Sequence, residues 1–188
     1  MKKLIALSLI PLLSGCLSAS SPKVTQWLLE YKGPVRATRL TKYEVGRVSQ
    51  VLVRSPFNEV GIAVLRADGS MAFDPYNEYA ANPTAMLKGF VFDAMDASGL
   101  FGAVVNPSSS VRSQALVEVL VSRLVLDCRK EGERKAVAAV RVRLIENDGK
   151  SFCAQGEGVT DAKDGNYGAA LSDALSIALN SAFGQFRR

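Results

Sequence analysis

From Lys135 to Glu146 the chain alternates well, with Ala136, Ala138, Val140, Val142 and Leu144 in one phase and Arg141 and Arg143 in the other. A period of two puts the first set on one face of a strand and the arginines on the opposite face. No helix accommodates that pattern, so this segment commits its surroundings to a sheet. Asn147-Asp148-Gly149 follows, a three-residue hairpin loop with glycine at the left-handed position. Lys150 to Thr160 then returns as a strand. Before the alternating segment, Gln114 to Cys128 reads as a long strand, joined to it by the charged turn Arg129 to Arg134. Tyr167 to Phe186 closes the chain as an amphipathic helix. Its apolar stripe is Leu171, Ala174, Leu175, Ala178, Leu179, Ala182, Phe183 and Phe186.

The first half repeats the strands-then-helix order without a convincing sequence repeat. Thr25 to Tyr31 is a first strand, Gly46 to Arg54 a second, Gly61 to Arg66 a third and Met71 to Phe73 a short fourth. Asp68-Gly69 makes the turn between the last two. Asn82 is a suitable N-cap with Pro83 at the first helical position. Met86, Leu87, Phe90, Val91, Ala94 and Met95 recur at helical spacing, and Ser98-Gly99 is a glycine stop. Phe101 to Val105 is one more strand, free to pair in parallel. These elements predict an α+β domain: a mostly antiparallel, mixed β-sheet packed by two amphipathic helices.

The N-terminus has a different character. Lys2 and Lys3 precede an apolar run from Leu4 to Leu13, too short for the roughly 20 residues a membrane helix needs. A charged start, a short apolar stretch and small residues at its end form an export signal. Leu13-Ser14-Gly15-Cys16 resembles a lipobox, the motif of the lipoprotein signal peptidase. That resemblance implies cleavage between Gly15 and Cys16 and acylation of Cys16. The organisation expected is therefore a signal peptide over 1–15, a lipidated cysteine and flexible tether over 16–24, and a single domain over 25–188. Leu17, where an Asp would favour inner-membrane retention, points to the outer membrane, facing the periplasm, with inner-membrane anchoring as the alternative.

The formal charge of +5 falls to +3 once Lys2 and Lys3 leave, and no Lys/Arg cluster suggests nucleic acid. The chain has no histidine, which excludes Ser-His-Asp and Cys-His catalysis and imidazole-based zinc sites. No Gly-rich phosphate loop, nucleophile elbow or Ser-x-x-Lys motif occurs. Glu30, Glu44, Glu59 and Glu78 read as solvated surface acids. The expectation is a protein that is not an enzyme, with no cofactor and no metal. Cys128 and Cys153 remain in an oxidising compartment. Hairpin register puts Cys153 opposite Arg143 and Cys128 opposite Ala136, roughly 23 Å apart along the middle strand. A disulfide needs Cα atoms within roughly 7 Å, so a simple meander disfavours one.

Several features together resemble a known family. A first strand follows the tether. Then come Val53-Arg54-Ser55-Pro56, a valine-rich strand, Asp68-Gly69, and Phe73-Asp74-Pro75-Tyr76-Asn77-Glu78-Tyr79-Ala80 leading into a helix. The long strand, its meander and the alanine-rich final helix complete the order. This pattern, over most of residues 24 to 186, resembles the ABC-type transport auxiliary lipoproteins, the family that includes the lipoprotein of the paraquat-inducible Pqi system. Tyr79 stands where that family commonly has Trp. The resemblance implies an envelope partner of an ABC transporter and a mammalian-cell-entry (MCE) protein, in systems that move lipids or other hydrophobic molecules. It would act by docking, anchored to the membrane by its lipid; self-association is left open. Phe57, Tyr76, Tyr79, Arg141 and Arg143 are the candidate partner contacts, aromatics and arginines being enriched at interfaces. Two other readings stand beside it. One is an outer-membrane regulator of a cell-wall synthase, for which a tether from Leu17 to Val24, reaching roughly 28 Å, is short. The other is a periplasmic lipid carrier, which needs an apolar cavity.

Overall fold

A computed structural model describes residues 23–33, 41–163 and 165–187. Gly15 and Cys16, and with them the lipobox, lie outside the described residues. The elements are β1 Thr25–Trp27, β2 Tyr43–Val53, β3 Gly61–Leu65, β4 Met71–Tyr79, α1 Pro83–Ser98, β5 Phe101–Val105, β6 Ala115–Asp127, β7 Lys135–Glu146, β8 Ser151–Asp161 and α2 Tyr167–Gln185. All eight strands form one mixed sheet with two helices, an α+β fold.

Local signals set most of these boundaries. Thr84 N–H donates to Asn82 Oδ1 at 2.9 Å, capping α1. Gly99 ends the helix at φ 67°, a conformation that costs glycine least. In the β7–β8 loop Gly149 has φ 85° and donates to Glu146 O at 2.9 Å.

β6 organises the sheet. One edge pairs antiparallel with β7 over its full length, and β7 pairs antiparallel with β8. The other edge is shared. β2 runs parallel along Ala115 to Val121, and β3 continues along Leu126 and Asp127. β5 then adds in parallel to β2, while β4 and β1 build outward from β3. Antiparallel ladders hold the long hairpins; parallel ones join segments far apart in sequence. α2 lies across β7 and β8, and α1 lies beside it over β2 and β5. Both helices cover the same face, and Leu87, Val91, Met95, Val117, Val142, Leu144, Leu171, Leu175 and Leu179 are buried between them and the sheet.

Three expectations need correction. The first strand stops at Trp27, because residues 28–32 leave the sheet to lie on α2. There Glu30 N–H donates to Ser172 Oγ, Lys32 N–H to Ser176 Oγ and Tyr31 OH to Asn180 Oδ1. The fourth strand runs on to Tyr79 rather than ending at Phe73. It absorbs Asp74-Pro75-Tyr76-Asn77 as a bulge closed by Asp74 Oδ1, which accepts from Tyr76 N–H and Asn77 Nδ2. Finally, Leu126, not Cys128, faces Ala136. The β6–β7 loop is longer than a simple turn because Asp127 accepts from Arg129 N–H and Cys128 N–H is taken up by Leu65 O. Cys153 does face Arg143, and both thiols are free.

Candidate docking surfaces

The sheet face away from the helices is open. Across its middle Leu52, Leu120, Arg141 and Gln155 form one cross-strand row, and Gln50, Glu118, Arg143 and Cys153 the next. Arg141 and Arg143 are exposed. Arg143 Nη1 lies 3.4 Å from Glu118 Oε2, and an exposed pair of this kind contributes about 0.5 kcal/mol. Tyr76 projects from the β4 bulge, 56% exposed. It is separated from the β7 arginines by β3 and β6, so these residues do not form one site.

Phe57 is half-buried and packs against the core. Tyr79 is a correction. It is 1% exposed, among the largest fully buried side chains, and cannot meet a partner. The bulge shifts the alternation of β4: Met71 and Phe73 are exposed before it, and Tyr79 turns inward after it. Burial holds its pKa far above the ordinary tyrosine value. Its hydroxyl has no hydrogen-bond partner among the described residues, and an unsatisfied buried group of this kind costs about 1–3 kcal/mol. Tyr79→Phe should therefore raise stability by about 1 kcal/mol, seen as a melting temperature about 2–4 °C higher. A lower one would mean that the hydroxyl bonds a buried water.

A groove that the strand and helix patterns of the sequence do not reveal lies at the β5 side of β2. β5 pairs only with Tyr43 to Arg47, whereas β2 runs on to Val53. Beyond Arg47 the strand edge borders a groove of about 790 Å³, walled by α1 at Thr84, Lys88, Gly89 and Phe92 and by residues 106–108 after β5. Arg54 N–H donates to Val121 O, so by alternation the backbone groups of Val51 point the other way, into the groove. On that edge no strand among the described residues pairs with β2 beyond Arg47. The far wall is fixed by Arg47, whose guanidinium donates to Pro107 O at 3.1 Å, to Ser109 O at 2.8 Å and to Val111 O. Gly89 opens the groove, since a Cβ there would meet nothing within 4 Å. A glycine mid-helix was the one trace of this site in the sequence.

Among the described residues no group of three or more His, Cys, Asp or Glu could hold a metal ion. No helix among them is long and apolar enough to cross a membrane.

Neither a protein-family model nor a curated protein sequence matches the chain. Solved structures do. A Xanthomonas campestris protein of the DUF330 family superposes with a TM-score of 0.66 at 17% identity, covering 87% of this chain and 98% of the other. A second crystal structure, of a protein with no stated function, gives 0.65 at 14%, covering 87% and 96%. At these identities the likeness is one of fold.

Proposed function

We propose that this chain is a membrane-anchored lipoprotein of the cell envelope, the auxiliary component of an ABC-type, MCE-associated transport system for lipids or hydrophobic molecules. It works by docking and catalyses no reaction. The observation that carries the reading is the groove beside β2, where a partner segment can both pair with a strand edge and bury apolar side chains against Phe92 and Val51. Recognition by strand addition takes affinity from the main chain and specificity from such flanking pockets. The lipobox-like Leu13 to Cys16 supports the anchor. The short tether supports a partner close to the bilayer, because eight residues reach roughly 28 Å. A cell-wall synthase across the periplasm is a poorer match to that reach.

The test is extraction of the native protein in mild detergent, pull-down and mass spectrometry of what accompanies it. An MCE-domain protein is the expected companion. A peptidoglycan synthase in its place, or no companion at all, would overturn the proposal. Phospholipid retained by the isolated protein would favour the carrier reading instead. Gly89 allows a sharper version. Gly89→Ala should stabilise the protein by about 0.5–1 kcal/mol through helix propensity and leave the companion bound. Gly89→Trp fills the groove from an exposed position and should abolish co-purification without lowering the melting temperature.

A further inference from the structure

The opposite end of the sheet carries a surface of a different kind. Among the described residues β8 pairs only with β7, in unbroken register from Ser151 to Asp161. Ala162 N–H donates to Arg134 O and Glu146 N–H to Lys150 O. The even-numbered residues of β8 therefore face β7, and the backbone groups of 151, 153, 155, 157, 159 and 161 point outward. All six residues are exposed. Proteins ordinarily blunt such an edge with a proline, a bulge or a lysine on the strand; β8 has none of these. Among the edge groups Gln155 O is engaged, accepting from Gln185 Nε2 of α2 at 2.6 Å.

That bond also shows which side of α2 overhangs the edge. Gln185 ends a stripe with Asp173, Ile177 and Ser181, the exposed positions of a helix whose other residues are buried or half-buried. Ile177 is 46% exposed. The helix reaches the rim because Gly156 and Gly158 let it lie directly on the edge strand: a Cβ on Gly156 would sit 1.9 Å from Ala178 O, and one on Gly158 2.0 Å from Ala174 O.

From this geometry we infer that β8 and the Asp173–Gln185 stripe of α2 form a two-fold interface between two copies of this chain, joining their sheets antiparallel about Gly156. The occupant follows from self-complementarity. An axis at Gly156 overlaps the whole of β8 with itself. It sets Glu157 against the partner's Gln155, Asp161 against the partner's Ser151, and Cys153 against the partner's Val159. Each carboxylate meets a neutral donor, and no like charges oppose. Ala178 lies over Gly156, so Ile177 beside it meets the partner's Ile177 near the axis, and Asp173 meets the partner's Ser181. A two-fold interface must match itself in this way. Gln185 would release Gln155 O to the partner's backbone. The inference does not depend on the proposed transport role.

The test uses the full-length lipidated protein in mild detergent. Wild type should have a protein mass of two chains at micromolar concentration. Ile177→Asp puts two carboxylates together at the axis from an exposed site, and should halve that mass while the far-ultraviolet circular dichroism spectrum stays that of the folded protein. Val159→Cys should give a dimer band with diamide, because paired residues lie about 5.5 Å apart between Cα atoms. Adding Cys153→Ser should remove that band. A wild-type mass other than two chains, a dimer that survives Ile177→Asp, or no cross-link from Val159→Cys would each overturn the inference.

Discussion

Gly156→Ala should cost at least about 3 kcal/mol of stability, and the variant should accumulate poorly or not at all. A single methyl group produces this loss because of where it lands. The new Cβ would lie 1.9 Å from Ala178 O and 2.9 Å from the same carbonyl carbon. Those are backbone atoms in the middle of α2, so no rotamer change relieves the contact. The helix must move off the strand by about 1.5 Å to restore ordinary separation. Leu171, Leu175, Leu179 and Phe183, all essentially inaccessible, would move with it. Overpacking of a close-packed core costs typically 1–3 kcal/mol, and here the displaced body is a whole helix. Chemical denaturation measures the loss. Gly89→Ala is the internal control, since the same change at an open helix position should stabilise. A loss below about 1 kcal/mol for Gly156→Ala would mean that α2 slides without cost, and the close helix–strand approach would not be what sets the edge of the molecule.

Cys16→Ser should abolish acylation outright. In wild type the N-terminal cysteine carries the lipid, and each buried methylene contributes about 0.8 kcal/mol to membrane binding. With serine there is no thiol to acylate, and processing between Gly15 and the next residue should fail, leaving residues 1–15 attached. Palmitate labelling falls to background and intact-mass measurement gives the uncleaved chain. If both proteins instead have the same unmodified mature N-terminus, the leader is an ordinary secretory signal and the proposed anchor falls. The folded domain should be indifferent, because its described residues begin at 23 and its core from Leu29 onward. Equal melting temperatures for the two proteins check that separation of anchor from fold.

The sequence was most informative where a feature depends on neighbours a few residues away. Asn82, Pro83 and Gly99 delimit α1 because capping is decided within one turn. Gly149 fixes the β7–β8 hairpin, and with it the pairing of Arg143 with Cys153, because a short loop fixes register. It was least informative where partners lie far apart. From the sequence, the β4 bulge reads as the approach to a helix, since Asp74 and Pro75 look like turn residues wherever they occur. The structure uses them to lengthen a strand that β3 and β1 hold from both sides. Tyr79 reads as a candidate partner contact for the same reason. Its position beside the helix cap is local, but its burial depends on which way β4 faces after the bulge. Of the candidate contacts, Tyr76 on β4 and Arg141 and Arg143 on β7 are exposed, Phe57 is half-buried in the turn after β2, and they do not form one surface.

By itself, then, the sequence determined the α+β class, both helices with their buried stripes, and the meander of β6, β7 and β8. Each of these follows from periodicity and turn chemistry, which act over a few residues. Tertiary structure alone decided that β6 takes β2 and β3 in succession along one edge. It also decided that β5 stops short of the end of β2, and that α2 lies hard against the outermost strand. The groove beside Val51 and the open edge of β8 both come from those decisions. Each surface arises where one strand outlasts its neighbour or has none, and a strand's own residues do not encode the length of the strand beside it.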